Sequence, residues 1–197
     1  NIEMITFKNH GCCGHTFAAI DGLLAIMEAE QIIASNIISI DIATYGPAVE
    51  ITDRANPKTS QECKFSMQYV VAHAAHHGSV RIDAFEESRM HDPVIRALLP
   101  QIRLTIDPKV DAEFPARRAA HVSITTYSGQ KFSYYQATRK GDPDLPLSDN
   151  ELEAKFLELA NPVLGAKSTA KLLNQLWKLD KIQLTDGLVY ATNSKKP

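Results

Sequence analysis

The sequence is short of the features that mark nucleic-acid-binding and membrane-spanning proteins. Its 197 residues carry 21 Lys and Arg against 23 Asp and Glu, a formal net charge of −2, whereas nucleic-acid-binding domains usually present a basic face. No apolar run approaches the ~20 residues that cross a bilayer. No internal repeat or low-complexity segment is present. We therefore expect neither nucleic acid nor a membrane as a partner. A hydrophobic content of 44% suits an ordinary globular domain.

Cysteine is scarce, and two of the three cysteines, Cys12 and Cys13, are adjacent. Adjacent cysteines rarely bridge each other, because disulfide geometry is hard to reach across one peptide bond. We expect reduced thiols and a cytoplasmic protein, or one of the mitochondrial matrix if eukaryotic. His10 and His15 complete a possible zinc ligand set. Adjacent cysteines fit a tetrahedron poorly, however, and no Cys-x-x-Cys exists elsewhere, so the sequence predicts no metal site.

The most informative segment is residues 7–21, which read FKNHGCCGHTFAAID. It places an ammonium, two imidazoles, two thiols and two glycines ahead of an apolar helix, whose first N–H groups are unsatisfied. Glycine allows a ligand to approach such groups closely. The segment therefore suits a substrate that carries carboxylate or phosphate. Lys8, His10 and His15 are its candidate proton carriers, although a lone histidine is as often structural.

Helices are predicted from apolar spacing and from capping signals. Thr59 and Glu62 form a capping box, Gly78 marks a helix end, and Ser148 and Glu151 form a second capping box. Apolar residues at helical spacing predict the first helix from about Thr16. The predicted helices cover residues 16–35, 59–77 and 93–99, followed by two more beyond residue 148 that meet around residues 162–165.

Strands are predicted where apolar and polar residues alternate. Ile38, Ile40 and Ile42 indicate one half-buried strand, and residues 102–106 a second. The clearest hairpin joins residues 120–127 to 131–138, and residues 46–58 have the composition of a loop. Strands and helices do not alternate regularly enough for a doubly wound parallel sheet. The predicted class is α+β, with a small antiparallel sheet and helices on one face.

Signatures at residues 8–16, 64–72 and 146–156 resemble those of the MmgE/PrpD family in family order. They read KNHGCCGHT, KFSMQYVVA and PLSDNELEAKF, the last like the family's "PLS..EL..KF" element. The family includes 2-methylcitrate dehydratase, cis-aconitate decarboxylase and iminodisuccinate epimerase. The loop with paired cysteines is more similar to the epimerase-type or uncharacterised branch than to 2-methylcitrate dehydratase.

The resemblance implies that the chain is the C-terminal portion of a longer enzyme. Family members have a large all-α N-terminal half, to which nothing here corresponds. Residues 1–35 would be the active-site loop and helix, residues 36–140 a small α+β lid domain, and residues 141–197 C-terminal helices that return to the absent helical domain. We expect that helical half as a partner, in the same or a separate chain, and a homodimer. The 197 residues alone would be inactive.

The resemblance also implies the reaction class and the site. Activity would be that of a lyase or isomerase that needs no cofactor and abstracts a proton alpha to a carboxylate of a small di- or tricarboxylate. Dehydration, decarboxylation or epimerisation would follow. Lys8 would be the base or the carboxylate partner. The other predicted catalytic residues are His10, Cys13, His15 and Tyr69, and the predicted substrate-binding residues are Gly11, Cys12, Gly14 and Thr16.

Several alternatives stay open. Cis-aconitate decarboxylase carries a histidine where Cys13 stands, which argues against decarboxylation. A thiol at a helix N-terminus is acidified, but packing is the favoured role for Cys12. Tyr69 at helical spacing is usually a core residue. The alternative function is that of a non-catalytic fragment that acts only by association with its missing helical half.

Overall fold

The computed structural model of the chain describes residues 4–181. The polar tail that the sequence predicts from Thr192 lies outside the described residues. The α-helices in that range are α1 Phe17–Ala29, α2 Gly46–Thr52, α3 Ser60–Lys64, α4 Met67–His77, α5 Glu87–Met90, α6 Pro93–Leu98, α7 Pro108–Ala112, α8 Asp149–Leu164 and α9 Ala166–Leu176. Short 3₁₀ turns occupy Gly14–Thr16, Ala34–Asn36, Ile82–Phe85, Leu99–Gln101 and Leu179–Lys181.

Within the described residues the sheet has four strands in the order β2-β1-β3-β4. They are β1 Ile37–Thr44, β2 Ile102–Ile106, β3 Ala120–Thr126 and β4 Lys131–Gln136. The α+β class is confirmed, and so is the β3–β4 hairpin. The sheet is mixed, however, because β1 pairs antiparallel with β3 and parallel with β2. The predicted antiparallel pairing is found for β1–β3 and β3–β4 and was wrong only for β1–β2. Helices α2 to α6 form a crossover between β1 and β2, which brings the chain back in the same direction.

One face of the sheet forms the core, and the other is polar along one row. Ile40 pairs with Ile102 and Ile124, and α1 and α4 pack over this side. One residue further along, Asp41 pairs with Arg103 and Ser123. Because neighbouring residues of a strand point to opposite faces, the apolar row and the polar row lie on opposite sides. The alternation of apolar and polar residues along the strands thus explains why helices pack on one face of the sheet.

Strand β1 departs from simple alternation at its start. The pairing of β1 with β3 shifts register between Ile37 and Ser39. As a result Ile37 is buried, whereas Ile38 is exposed. The prediction that Ile38 shares the buried face with Ile40 and Ile42 was therefore wrong for Ile38, because an irregularity of one residue moves a side chain to the other face.

The capping signals are confirmed, and three helix predictions differ from the structure. The first helix, predicted over residues 16–35, ends at Ala29. Thr59 caps α3 with Glu62 in a capping box, and Gly78 ends α4 at a φ of 70°. The predicted helix over 59–77 is interrupted, since Ser66 caps α4 anew by accepting from the Tyr69 backbone N–H. The predicted loop at 46–58 contains α2, because Pro47 is tolerated in a first helical turn.

The chain divides into two compact units between Pro146 and Leu147. The first unit contains the sheet together with α1 to α7, so α1 shares a core with the sheet. In the second unit α8 begins at a capping box of Ser148 and Glu151, and Trp177 Nε1 donates to Glu153 Oε1 at 2.6 Å. The domain boundaries predicted after residues 35 and 140 stay predictions about the complete protein. Within residues 4–181, no helix combines the length and apolar character that bilayer crossing demands.

Candidate functional site

The segment that carries the sequence-predicted site, residues 6–16, is here called the Lys8 loop. Backbone hydrogen bonds attach it to three distant segments. The N–H of Phe7 donates to Gly141 O at 2.9 Å, that of Gly11 to Val80 O at 2.8 Å, and that of Cys13 to Lys64 O at 2.9 Å. The loop is therefore fixed by tertiary contacts and not only by its own turns.

Lys8 itself is exposed at the surface of this loop. Its Nζ donates to the backbone oxygen of Cys12 at 3.4 Å, which folds the side chain over the glycine-cysteine turn. An ammonium ion has three donors and no acceptor. A group in this position can therefore bind an anion and still keep its contact with the loop.

Cys12 and Thr16 form the buried underside of the loop. Cys12 is 4% exposed, and its Sγ lies 3.2 Å from Thr16 Oγ1, while that hydroxyl donates to Cys13 O at 2.8 Å. Burial raises the pKa of the Cys12 thiol to about 12. For Cys12, desolvation of the thiolate outweighs the acidifying effect of a helix N-terminus. The structure agrees with the packing role. Cys13 is half-buried beside it.

His10 and His15 lie in different surroundings. His10 is 4% exposed, and its Nε2 lies 3.0 Å from Asp21 Oδ1. His15 is half-buried, and its Nδ1 is 2.8 Å from Tyr45 Oη. The ring of Tyr45 stacks on Phe114, with the ring centroids 4.7 Å apart. Of the two histidines, His15 is the one that is partly accessible to a ligand.

The electrostatics around His15 favour its neutral form. Burial lowers the pKa of His15, and the positive charges of Arg118 and Arg139 lower it further. Burial also raises the pKa of Tyr45 to about 12, so its hydroxyl keeps the proton. A neutral imidazole next to guanidinium groups can accept a proton while a negatively charged ligand is held nearby.

Arg139 and Asp142, near the C-terminal end of the first unit, form hydrogen bonds with the Lys8 loop. The guanidinium binds the carboxylate in a bidentate manner, with Nη2 to Oδ1 at 2.6 Å and Nε to Oδ2 at 2.8 Å. Asp142 Oδ1 also accepts from Thr6 Oγ1 at 2.7 Å, and Arg139 Nη1 donates to Gly14 O at 3.5 Å. Although burial raises the pKa of Asp142, the hydrogen bonds from Arg139 and Thr6 outweigh burial and lower it.

The glycines of the loop are positions of close approach. A Cβ at Gly14 would lie 3.2 Å from Arg139 Nη1, and one at Gly11 would lie 3.4 Å from the backbone of Arg81. Arg81 in turn donates to the backbone oxygen of Asn9. The glycines thus allow arginine-bearing segments to reach the loop.

Tyr69 is packed in the core and is not at the protein surface. It is fully buried in α4, and its hydroxyl donates to the backbone oxygen of Ala84. Burial raises the pKa of Tyr69 well above its usual value. Burial and the bond to Ala84 agree with the packing alternative that the sequence left open. We leave Tyr69 out of the proposed catalytic groups.

Sequence reasoning missed the residues that support the loop: Asp21, Tyr45, Arg118, Arg139 and Asp142. Arg139 and Asp142 flank the Lys140-Gly141 turn, and this charged, glycine-containing turn was the local signal for these two residues. Asp21 carried a signal too, since a carboxylate among the buried apolar residues in the first half of α1 needs a partner. Between residues 4 and 181 no cluster of three or more His, Cys, Asp or Glu could hold a metal ion.

Comparisons with known proteins identify the family of the chain. The MmgE/PrpD C-terminal domain matches residues 10–179. Cis-aconitate decarboxylase of Mus musculus is 27% identical over 137 residues, which are 70% of this chain and 28% of that protein. Cis-aconitate decarboxylase of Homo sapiens is 27% identical over 151 residues, which are 77% of this chain and 31% of that protein.

The chain therefore spans less than a third of the length of these relatives. The domain match covers most of the chain, including the Lys8 loop from His10 onward, the whole sheet and the helices α8 and α9. On this match the resemblance inferred from the three signatures is confirmed: the chain belongs to the MmgE/PrpD family.

Proposed function

We propose that the chain is the C-terminal portion of an MmgE/PrpD-type lyase or isomerase. It acts on a small di- or tricarboxylate and begins by removing a proton from the carbon alpha to a carboxylate. Dehydration, decarboxylation or epimerisation follows, according to which group leaves. The named relatives, both cis-aconitate decarboxylases, support a carboxy-lyase or a related lyase.

The observation that carries the proposal is the exposed Lys8 on a loop that is otherwise fixed. Removal of an alpha proton puts negative charge on the adjoining carboxylate, so the reaction needs a base and a fixed cation. Lys8 Nζ reaches the loop backbone at 3.4 Å and can supply either group. His15 is the second candidate base, since its lowered pKa leaves the imidazole neutral. Cys13 and the backbone at Gly11 and Gly14 complete the surface.

The positive charges near His15 suit a second carboxylate. Arg118 acts on both His15 and Tyr45, and it precedes Ala119, whose oxygen accepts from Thr44 Oγ1 at 2.8 Å. This backbone contact holds Arg118 next to Tyr45 in space. We infer that Lys8 and Arg118 bind different carboxylates of one substrate.

The proposal includes a helical half that supplies further acid and base groups, assembly as a homodimer, and no turnover by these 197 residues alone. The three cysteines are free thiols, which supports a reducing compartment, the cytoplasm or the mitochondrial matrix. Association without catalysis is the second candidate, favoured by the chain's coverage of less than a third of its relatives.

Substitution of Lys8 in the complete enzyme tests the proposal. Lys8→Ala should lower kcat/KM about a hundredfold or more, the size expected for a general base or a charge-stabilising group. The fold should persist, because an exposed loop side chain leaves no core cavity. Lys131→Ala, at an exposed position of β4, is the matched control and should keep full activity.

Lys8→Arg separates the two roles of Lys8. A guanidinium stays charged and cannot act as the base, so restored activity identifies Lys8 as a carboxylate anchor, and continued loss identifies it as the base. If Lys8→Ala loses less than about threefold in kcat/KM, Lys8 has neither role. Association without catalysis then becomes the better reading.

A further inference from the structure

A buried histidine and a carboxylate connect the Lys8 loop to helix α1. His10 Nε2 lies 3.0 Å from Asp21 Oδ1, and the side chains of the two residues are 3% and 10% exposed. Asp21 lies in the second turn of α1, whose other buried residues are apolar or small. A buried imidazole and carboxylate are rarely placed in such a setting unless they hydrogen-bond to each other or to a neighbour.

The second oxygen of Asp21 binds a different segment. Asp21 Oδ2 accepts from the backbone N–H of Lys140 at 2.8 Å. The next residue, Gly141, accepts the N–H of Phe7 through its backbone oxygen at 2.9 Å. The Asp21 carboxylate therefore connects the Lys8 loop, through His10, to the backbone at residue 140. The hydrogen bond from Phe7 to Gly141 is a second connection between the same two segments, and it lies next to Lys8.

The imidazole of His10 is turned inward, away from any ligand of the loop. A carboxylate oxygen can only accept, so Nε2 carries the proton of the bond to Asp21. The other nitrogen, Nδ1, is buried and has no hydrogen-bond partner among residues 4–181. The ring packs edge-on against Phe17, with the centroids 5.2 Å apart. This geometry orients His10, and it does not present a proton to a substrate.

We propose that Asp21 is a positioning residue: through His10 and the Lys140 N–H, its carboxylate sets the place of the loop that presents Lys8. His10 thereby moves from a predicted proton carrier to part of this support. The catalytic consequence rests on the proposed function, because it needs Lys8 to act on a substrate. The loop geometry itself does not depend on that function.

Hydrogen exchange of the full-length protein, followed by mass spectrometry of peptides that cover residues 4–16, tests the loop geometry. Asp21→Ala should speed exchange in these peptides tenfold or more, while exchange over β3 stays unchanged. Alanine is a better helix former than aspartate, so a weaker α1 would not explain the result. Glu28→Ala, an exposed position of the same helix, is the matched control and should leave the loop unchanged.

Variants of His10 keep the test decisive if Asp21→Ala fails to fold. Glutamine can place its amide N–H where Nε2 lies, whereas leucine cannot donate. His10→Gln should keep loop exchange within about threefold of wild type, and His10→Leu should speed it tenfold or more. Unchanged loop exchange in Asp21→Ala, equal acceleration of all segments, or equal exchange in the two His10 variants would overturn the proposal.

Activity assays on the same variants separate the two proposals. Asp21→Ala should lower kcat/KM about tenfold or more in the wild-type background. In the Lys8→Ala background it should cause almost no further loss of kcat/KM, because Asp21 acts through the Lys8 side chain. If exchange responds as expected but the wild-type enzyme turns over no small carboxylate, the proposed function fails and the positioning role stands. Full additivity with Lys8→Ala would refute the catalytic part of the positioning role.

Discussion

Among the glycines that the structure describes, replacing Gly141 with alanine should disturb the Lys8 loop most. Gly141 has a φ of 99°, and a Cβ there would lie 2.0 Å from the backbone oxygen of Phe7. A relaxed carbon–oxygen contact is about 3.3 Å, so one of the two segments has to move by roughly 1 Å. The hydrogen bond from Phe7 N–H to Gly141 O joins the same two residues and would be strained or broken.

The expected cost has two parts. A left-handed conformation costs a residue with a side chain about 1–2 kcal/mol, and loss of the Phe7 hydrogen bond costs about 1 kcal/mol more. Gly129 provides the matched control, because its φ is 82° and nothing lies within 4 Å of its Cβ position. Gly129→Ala should therefore show the conformational cost alone, and Gly141→Ala about 1 kcal/mol or more beyond it.

Urea unfolding followed by far-ultraviolet circular dichroism measures the two costs, and a turnover assay of the complete enzyme measures the displacement. A misplacement of about 1 Å can reduce a rate about a hundredfold, so Gly141→Ala should lose activity where Gly129→Ala does not. If the two variants are equally stable within about 0.5 kcal/mol and equally active, the contact between Gly141 and Phe7 does not position the loop.

Two further predictions concern buried groups. The pKa of Cys12 in the folded chain is about 12, above its unfolded value of 9.0, so the unfolded state loses this proton first and the free energy of unfolding falls as pH rises. From about pH 8 to about pH 10 the wild type should lose about 1.4 kcal/mol in urea titrations, and Cys12→Ser should not. Parallel pH profiles of the two proteins would contradict this. Tyr69→Phe removes the donor to Ala84 O and should lower the free energy of unfolding by about 1–3 kcal/mol while kcat stays unchanged. A large loss of kcat without a loss of stability would return Tyr69 to the catalytic groups.

Local signals in the sequence predicted much of the fold. The capping boxes that begin at Thr59 and Ser148 depend on residues three apart, and both are present. Gly78 ends its helix as predicted, and the β3–β4 hairpin follows from alternation around a glycine turn. These features are short in sequence separation, so the pattern of neighbouring residues is sufficient to predict them.

Features that depend on distant residues were not predictable in the same way. The parallel pairing of β1 with β2 is decided by where the crossover returns, which no local pattern contains. Lys8 could be picked out by residue type and family signature. The partners of its loop, Asp21 apart, come from residues 45, 64, 80–81 and 139–142, and their contacts exist only in the folded chain.

The bond between Thr6 and Asp142 spans 136 positions of the chain, and this separation fixes the order in which the site can form. A growing chain emerges from the ribosome with its N-terminus first, and a domain folds once its contacting parts are outside. All four strands end by Gln136, before Arg139 and Asp142 have been added. The sheet can therefore be complete while the Lys8 loop is still unclamped. Lys8 therefore acquires its final position only among the last steps in the folding of this unit during synthesis.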